Sequence, residues 1–391
     1  MQAWLDTTLG NEFKIVMGQS PASEYYNDQG RGLPFFQGKK EFGELYPTVE
    51  VWTTQATKRA DKGDILLSVR APIGDVNIAP EGCGIGRGLA AIKPNDNTCS
   101  KFILYLLKAK ENDLKKRGAG VTFSAITKPN LFSLPIKVPQ NKQGRDELVE
   151  AIDTQFTRLD AAIKSLKAIK AKLELYRKSV LKAAFNGKLV AITEWEDTTV
   201  GDLGEIITGT TPSKSKPEYY GREYCFFKPT DLNAGYYVKT SQDMLSARGA
   251  EQARLLPQKS ILVTCIGATI GKTGFSRVEG ATNQQINSIV PDQSKYVSEL
   301  LYYLFISDQM QRQIIDNSSS TTLPILNKSK FSMLKVRMPR SKEEQRGIVD
   351  EIESSFSVID KVEAAVDASI EKSEKFRKSI LKSAFEGKLV N

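Results

Sequence analysis

Tyr176-Arg177-Lys178-Ser179-Val180-Leu181-Lys182-Ala183-Ala184-Phe185-Asn186-Gly187-Lys188-Leu189-Val190 returns at the C-terminus as Phe376-Arg377-Lys378-Ser379-Ile380-Leu381-Lys382-Ser383-Ala384-Phe385-Glu386-Gly387-Lys388-Leu389-Val390. Eleven of the fifteen positions are identical, at an offset of 200 residues in a chain of 391. A repeat of that period is a duplicated domain rather than a solenoid unit. Each copy closes a long segment with helical patterning, so the sequence reads as two half-molecules in tandem.

Working back from the first copy, no proline or glycine follows Gly144 until Gly187. Ile152, Leu159, Leu166, Leu173 and Val180 recur every seven residues, and Phe156, Ala162, Ile163, Ile169 and Tyr176 are expected to widen the stripe. This spacing predicts an amphipathic helix with a near-heptad seam from about Asn141 to Phe185, stopped at Gly187. At about 1.5 Å per residue such a helix spans about 65 Å, longer than one DNA turn of about 34 Å. It needs a partner to cover its apolar face. The second half supplies one: Ser341-Lys342-Glu343-Glu344 has the pattern of a capping box, and Ile352, Phe356, Ile359, Val366 and Ile380 repeat the seam. Lys170 and Ser373 interrupt it. The residues expected to pair the helices are therefore Ile152, Phe156, Leu159, Leu166 and Leu173 against Ile352, Phe356, Ile359, Val366 and Ile380.

The remainder divides into two globular halves of one plan. Trp4-Leu5-Asp6-Thr7 is echoed by Trp195-Glu196-Asp197-Thr198, and Gly18-Gln19-Ser20-Pro21 by Gly209-Thr210-Thr211-Pro212. Phe35-Phe36-Gln37 is echoed by Phe226-Phe227-Lys228. The strand-like Ile65-Leu66-Leu67-Ser68 and its turn Ala71-Pro72-Ile73-Gly74 match Ile261-Leu262-Val263-Thr264 and Ala268-Thr269-Ile270-Gly271. Further strands are expected near Val76–Ala79 and Leu89–Ile92, and a short helix over about Lys101–Lys110. The resulting division is 1–140, 141–190, 191–340 and 341–391: a mixed domain, a long helix, a second mixed domain and a second long helix. Between the shared points the globular halves diverge while the helices agree, as two readers of different targets on a common frame would.

Composition narrows the function. The chain has 55 Lys and Arg against 46 Asp and Glu, a formal charge of +9, which favours a polyanionic partner. It contains no histidine, so the commonest general base is missing. Cys83, Cys99, Cys225 and Cys265 form no CxxC pair; buried thiols are expected, and no metal site. No apolar run reaches membrane-span length and no signal-peptide pattern opens the sequence, so a cytoplasmic chain is expected. Gly267-Ala268-Thr269-Ile270-Gly271-Lys272-Thr273 is one residue short of a phosphate-binding Walker loop, and a turn presenting Lys272 and Thr273 to DNA phosphates suits it better. No catalytic constellation is found.

Side chains suited to DNA recur at equivalent loops of both halves. In the first they are Gln19, Ser20, Gln37, Lys39, Lys40, Arg70 and Arg87. In the second they are Thr211, Lys214, Lys216, Lys228, Lys272, Asn283, Gln284 and Gln285. Arginine and lysine suit guanine edges and phosphates, asparagine and glutamine adenine.

The paired Gly-Lys-Leu-Val endings, the block Leu66-Leu67-Ser68-Val69-Arg70-Ala71-Pro72-Ile73-Gly74 and Asn283-Gln284-Gln285-Ile286-Asn287 together resemble the specificity subunit of type I restriction-modification systems. The resemblance spans essentially the whole chain. It implies an α+β fold: two target-recognition domains separated by two long antiparallel coiled-coil helices, with a pseudo-twofold axis from the duplication. It implies a non-catalytic subunit that reads a split site in the major groove of double-stranded DNA, with the helices setting the spacer. Two methylation subunits would dock near the helices, and motor-nuclease subunits would join them. The resemblance places the docking contacts at Phe185, Gly187, Lys188 and Leu189 and at Phe385, Gly387, Lys388 and Leu389. S-adenosylmethionine would belong to the methylation subunits and no cofactor to this chain. The first half departs by carrying Gly86-Arg87-Gly88-Leu89 where the second has Asn283-Gln284-Gln285-Ile286. The rival expectations are a self-contained methyltransferase or nuclease, and a coiled-coil scaffold without a DNA role.

Overall fold

A computed structural model describes residues 3–118, 125–319 and 323–389. Val390, the last residue of the second repeat, lies outside them. The chain forms two compact units, Met1–Lys167 with Asp367–Asn391, and Ala168–Val366. Each takes in a part of both long helices, which run Lys142–Phe185 and Lys342–Phe385.

The two units follow one plan. In the first, a four-stranded antiparallel sheet has the order Lys14–Met17, Leu89–Lys93, Ile65–Ser68, Val76–Ile78. In the second the order is Gly204–Thr208, Ile286–Pro291, Ile261–Thr264, Thr273–Phe275. The central strands are apolar on both faces, as in Ile65-Leu66-Leu67 and Ile261-Leu262-Val263, because both faces are covered. One face takes the helix Ser100–Ala109 or Ser298–Ile306, and with it a large core. The other packs on a smaller cluster holding Phe36 or Phe227. Those phenylalanines lie on Leu33–Phe36 and Tyr220–Phe227, strands of a further sheet in each unit. A two-stranded ribbon joins the start of each half to its exit, Trp4–Thr8 with Pro135–Pro139 and Trp195–Thr199 with Lys335–Pro339. The expected strands and short helix are present; the extra sheets of two- and three-residue strands are too short to carry a readable period.

Each long helix is rooted by one buried polar side chain. Arg145, 2% exposed, donates from Nε to the Pro139 carbonyl at 2.8 Å and pairs with Glu12 at 2.6 Å. At the equivalent place Gln345 donates to the Pro339 carbonyl at 2.8 Å and accepts the Val297 N–H at 2.8 Å. Satisfying buried donors this way is worth more than the bonds themselves, because an unmet buried group costs about 1–3 kcal/mol. About two turns beyond Arg145 and Gln345, Tyr105 donates to Asp153, and Tyr236 and Tyr303 to Glu353. Burial, then the neighbouring carboxylate, pushes the Tyr105 and Tyr236 hydroxyls well above their ordinary value.

Within each unit the helix segments pack antiparallel. In the second, Arg177 meets Asp360 and Glu363, while the later Val180, Leu181 and Ala184 share a core with the earlier Ile348, Val349 and Ile352. In the first, Arg377 meets Asp160, and Ile380, Leu381, Ala384 and Phe385 share a core with Ile152 and Phe156. Leu159, Ile359 and Val366 are buried, and Leu166 and Leu173 half-buried, as seam positions should be. Three of the residues expected to widen the stripe do not. Ile169 and Tyr176 are 41% and 53% exposed, and Ala162 is exposed. The inward positions, buried or half-buried, alternate four and three residues, 152-156-159-163-166, which rotates 162, 169 and 176 out of the seam. The seam therefore passes through Arg177 and Arg377 instead.

The helix ends also differ in part from expectation. Lys188 N–H reaches the Ala183 carbonyl and Gly187 N–H that of Ala184, with Gly187 at φ +67°; Gly387 does the same at +75°. That left-handed stop is the one glycine supplies. At Ser341 the box is half-made: its hydroxyl accepts the Glu344 N–H at 3.4 Å, but the Glu344 carboxylate serves Thr193, whose N–H and hydroxyl donate at 2.9 and 2.7 Å. Of the cysteines, Cys83, Cys225 and Cys265 are buried, and burial pushes Cys83 and Cys265 up to about 12. Cys99, expected inside, is exposed because it caps the helix Ser100–Ala109 from the surface. No helix among the described residues is long and apolar enough to cross a membrane.

Candidate nucleic-acid interface

In each unit four loops converge on one platform at an edge of the central sheet. The backbone is stitched identically. Gly18 N–H reaches the Leu89 carbonyl, and Gly209 N–H that of Ile286. Gly86 N–H reaches the Phe36 carbonyl, and Asn283 N–H that of Phe227. Val69 N–H reaches Gly88, and Cys265 N–H reaches Gln285. These bonds equate Ser20 with Thr211, Gln37 with Lys228, Arg70 with Ile266 and Arg87 with Gln284.

Glycine is required where the loops touch. A Cβ on Gly18 would lie 2.1 Å from the Gly86 carbonyl oxygen, and one on Gly88 2.2 Å from that of Gln37. No side chain fits such gaps, so the glycines around Arg87 are explained by contact rather than by flexibility.

In the first unit a shallow groove of about 220 Å³ is lined by Ser20, Gln37, Lys39, Ser68, Arg70 and Arg87 with the backbone of Gly38, Ala71 and Gly88. It gathers Ser20, Gln37, Lys39, Arg70 and Arg87 from the sequence-derived set; Gln19 is exposed immediately beside it. Ser20 accepts the Arg87 N–H at 3.3 Å, which fixes the loop that projects the arginine. Lys39 is tied to Asp75 at 2.9 Å. Lys40 lies outside the groove and pairs with Glu50 at 2.8 Å, a contact that holds its pKa above the ordinary lysine value. Arg70 and Arg87 are exposed, and no ion pair engages either among the described residues. They are the two cations of this unit's platform free to meet an anion or a base edge.

The second platform is assembled differently. Thr211 donates its hydroxyl to the exposed Gln284 amide. The flanking amides are spent inside the protein. Asn283, 7% exposed, accepts the Gln285 N–H and donates to its side-chain oxygen at 2.9 Å, while Gln285 donates onward to the Ile266 carbonyl at 3.4 Å. These two side chains shape the loop that presents Gln284. Lys228 pairs with Asp243. Lys214 is exposed, and Lys216 donates to Tyr219 at 3.2 Å.

The Gly267–Thr273 loop does not offer the surface expected of it. Gly267, Ile270, Gly271 and Lys272 spend their N–H groups on Pro324, Gly267, Thr264 and Thr269 carbonyls. Thr273 is 6% exposed and donates to the Gly271 carbonyl at 2.9 Å. Lys272 donates to Asn233 at 2.8 Å. The turn is a strand connector closed on itself, with few amides left for a phosphate.

The residues at the helix ends lie against the body of each unit. Phe385 is 7% exposed and packs edge-on against Phe102, with ring centroids 5.5 Å apart. Leu389 packs on the same core, and Phe185 and Leu189 on the other. Gly187 abuts Trp195 and Gly387 abuts Trp4. Lys388 is outward, with Glu386 beside it at 2.6 Å; Lys188 is exposed as well. No group of three or more Asp, Glu or Cys side chains able to hold a metal ion occurs among the described residues.

Sequence reasoning missed the Arg177 and Arg377 contacts, which it did not place in the seam, and the exposed apolar side chains of Leu323 and Ile325 beside the second platform. A period check at four-three spacing would have found the first.

Comparison with known proteins agrees with this geometry. The model of the type I restriction modification DNA specificity domain matches residues 1–175 and again residues 192–372. The putative type I restriction enzyme MjaX specificity subunit of Methanocaldococcus jannaschii is 41% identical over 189 residues, 48% of this chain and 43% of that protein. The HindI specificity subunit of Haemophilus influenzae is 38% identical over 148 residues, 37% of this chain and 32% of that one. The chain thus matches less than half the length of these relatives. The EcoBI specificity subunit of Escherichia coli aligns over 99% of the chain and 86% of its own length at 23% identity. A chain from the structural study of complex assembly and conformational transition of the type I R-M system shares the fold, with a TM-score of 0.72 at 16% identity over 98% of both chains. The HsdS subunit from Thermoanaerobacter tengcongensis does so at 0.60 and 15%, over 98% of this chain and 97% of that one. Because the family's domain is matched by both halves of the sequence, and both halves build the same platform, the chain belongs to the type I restriction modification DNA specificity family.

Proposed function

We propose that this chain is the non-catalytic specificity subunit of a type I restriction-modification complex, acting in the cytoplasm, and that each unit reads one half of a bipartite DNA site in the major groove. The observation that carries the reading is the twofold construction of one platform. Its backbone is repeated bond for bond, while the side chains that project from it differ. A duplicated scaffold with exchanged projecting groups is what reading two different half-sites requires.

The long helices then set the spacer, and two methylation subunits dock along them, with motor-nuclease subunits joining that assembly. Matching outward aromatic side chains, Tyr176 at 53% and Phe376 at 55% exposure, support docking on the outer helix faces. The exposed Lys188 and Lys388 add charge at the helix ends. The body contacts of Phe185, Leu189, Phe385 and Leu389 suit a role in orienting the helix ends that such partners grip. S-adenosylmethionine belongs to the methylation subunits in this scheme.

Incubating the purified chain with labelled S-adenosylmethionine and duplex DNA, with and without its methylation partners, tests the assignment. Methyl transfer is expected only with the partners, and DNA affinity is expected to fall steeply with added salt as phosphate contacts release counterions. Transfer by the chain alone would overturn the non-catalytic reading.

A further inference from the structure

The two platforms share a backbone but offer opposite chemistry, and we infer from this that they read bases of different classes. The first takes a guanine-bearing half-site through Arg70 and Arg87. The second takes an A·T half-site through the Thr211–Gln284 pair and an apolar lip of Ile266, Leu323 and Ile325. The inference rests on the DNA-reading function proposed above and adds which bases each unit takes.

In the first platform both guanidinium groups are exposed, and no ion pair engages them among the described residues. Arg87 stands on a loop fixed by the Ser20 contact and by glycines that cannot be enlarged. Arg70 leaves the strand Ile65–Ser68 beside a bridge to Ala125. A guanidinium offers only donors. Guanine presents two acceptors, N7 and O6, on its major-groove edge, whereas adenine sets a donor beside its one acceptor. Two guanidinium forks projected from fixed backbone into one groove therefore favour guanine over adenine.

In the second platform each of those charges is gone. Ile266 stands at the place of Arg70 and Gln284 at that of Arg87. The one lysine at the equivalent of Gln37, Lys228, is neutralised by Asp243. Gln284 is exposed and held by Thr211. Beside it Leu323 and Ile325 are 53% and 41% exposed, anchored by the Ile266–Ile325 bridge and by Gly267 N–H to the Pro324 carbonyl at 3.0 Å. Single exposed aliphatic side chains need no explanation. Here they stand near a fixed amide at the edge of the reading surface. The thymine C5-methyl group is the apolar feature of the major groove, and a glutamine amide matches its adenine partner.

The test is selection from a randomised duplex library by the full chain with its methylation subunits, comparing the parent with Arg87→Gln, Gln284→Ala and the double Leu323→Ala/Ile325→Ala. All four side chains are exposed or partly exposed, and matched melting curves check that the variants fold. The parent is expected to enrich two blocks separated by an indifferent spacer. Arg87→Gln relaxes a guanine in one block by about tenfold, within the range of a lost bidentate pair. Gln284→Ala relaxes an A·T position in the other. In that block, replacing thymine by uracil weakens parental binding about fourfold, the worth of one buried methyl group. The same replacement costs the Leu323→Ala/Ile325→Ala variant nothing. A block relaxed by Arg87→Gln that lacks guanine would overturn the inference. So would uracil indistinguishable from thymine throughout the block relaxed by Gln284→Ala. Failure of the parent to enrich any duplex would overturn the DNA-reading function itself, a result distinct from either.

Discussion

Replacing Arg177 by methionine is expected to destabilise the second unit more than replacing Arg377 destabilises the first. Both arginines stand in the helix seam, and each lies over a phenylalanine of the opposing helix, Arg177 4.9 Å from the Phe356 ring centre and Arg377 4.5 Å from that of Phe156. Each also meets a carboxylate one turn along, Asp360 or Asp160. The difference is a second acid. Glu363 lies 3.0 Å from Arg177 and is 25% exposed, whereas its equivalent in the first helix is Ile163. Burial works against the Arg177 charge, yet the two carboxylates hold its pKa above the ordinary value. The ring contact is worth about 0.5–1 kcal/mol in each unit. The Asp360 and Asp160 pairs, 66% and 59% exposed, add only a few tenths after solvent screening, on the order of 0.3 kcal/mol. Glu363 adds roughly 1 kcal/mol, since loss of Arg177 strands a carboxylate that is only 25% exposed. Methionine returns some packing to the seam. The expected losses are about 2 kcal/mol for Arg177→Met and about 1 kcal/mol for Arg377→Met, read from urea unfolding. A double-mutant cycle of Arg177→Met with Glu363→Gln should give a coupling near 1 kcal/mol. Equal losses in the two units, or a coupling below about 0.3 kcal/mol, would refute the reasoning.

Other outcomes follow from the same structure. Gly88→Ala places a Cβ 2.2 Å from the Gln37 carbonyl oxygen; it should cost about 1–3 kcal/mol by overpacking and weaken DNA binding by displacing Arg87, as comparative melting and binding would show. Asp202 is held below its ordinary value of 3.8 chiefly by the Thr199 hydroxyl, then by the Thr199 N–H and the Thr198 hydroxyl. A depressed carboxylate stabilises the fold above its unfolded pKa and loses that contribution as pH falls through the folded one, so Asp202→Asn should lower stability at neutral pH, flatten the acid side of the stability curve below about pH 4, and converge with the parent in acid. Seven residues inserted after Leu166 and seven after Val366 preserve the seam phase and lengthen each helix by about 10 Å, so methylated sites should gain roughly three spacer base pairs; retention of the parental spacer would remove the ruler role.

The repeat and the seven-residue recurrence carried the long helices in the sequence almost to the residue, because a period kept over many turns leaves few alternatives. The same recurrence misplaced Ile169 and Tyr176, since counting apolar residues prefers an isoleucine to an arginine, whereas the packed seam accepts Arg177 once Phe356, Asp360 and Glu363 surround it. The echoes Gly18–Pro21 with Gly209–Pro212, and Phe35–Gln37 with Phe226–Lys228, correctly marked the loops that meet in each unit. What each loop residue does was not legible. Asn283 and Gln284 are adjacent and chemically alike, yet the first is folded into its own loop and the second projects. Nor could the sequence tell that the turn at Gly267 closes its own amides, because that depends on Pro324, more than fifty residues away.

The most direct measurement is sequencing of methylated bases in cells that carry the methylation partners, with and without this chain. A split motif, two short defined blocks around an indifferent spacer of fixed length, should be present with the chain and absent without it. A single uninterrupted motif, or methylation unchanged when the chain is removed, would contradict the account.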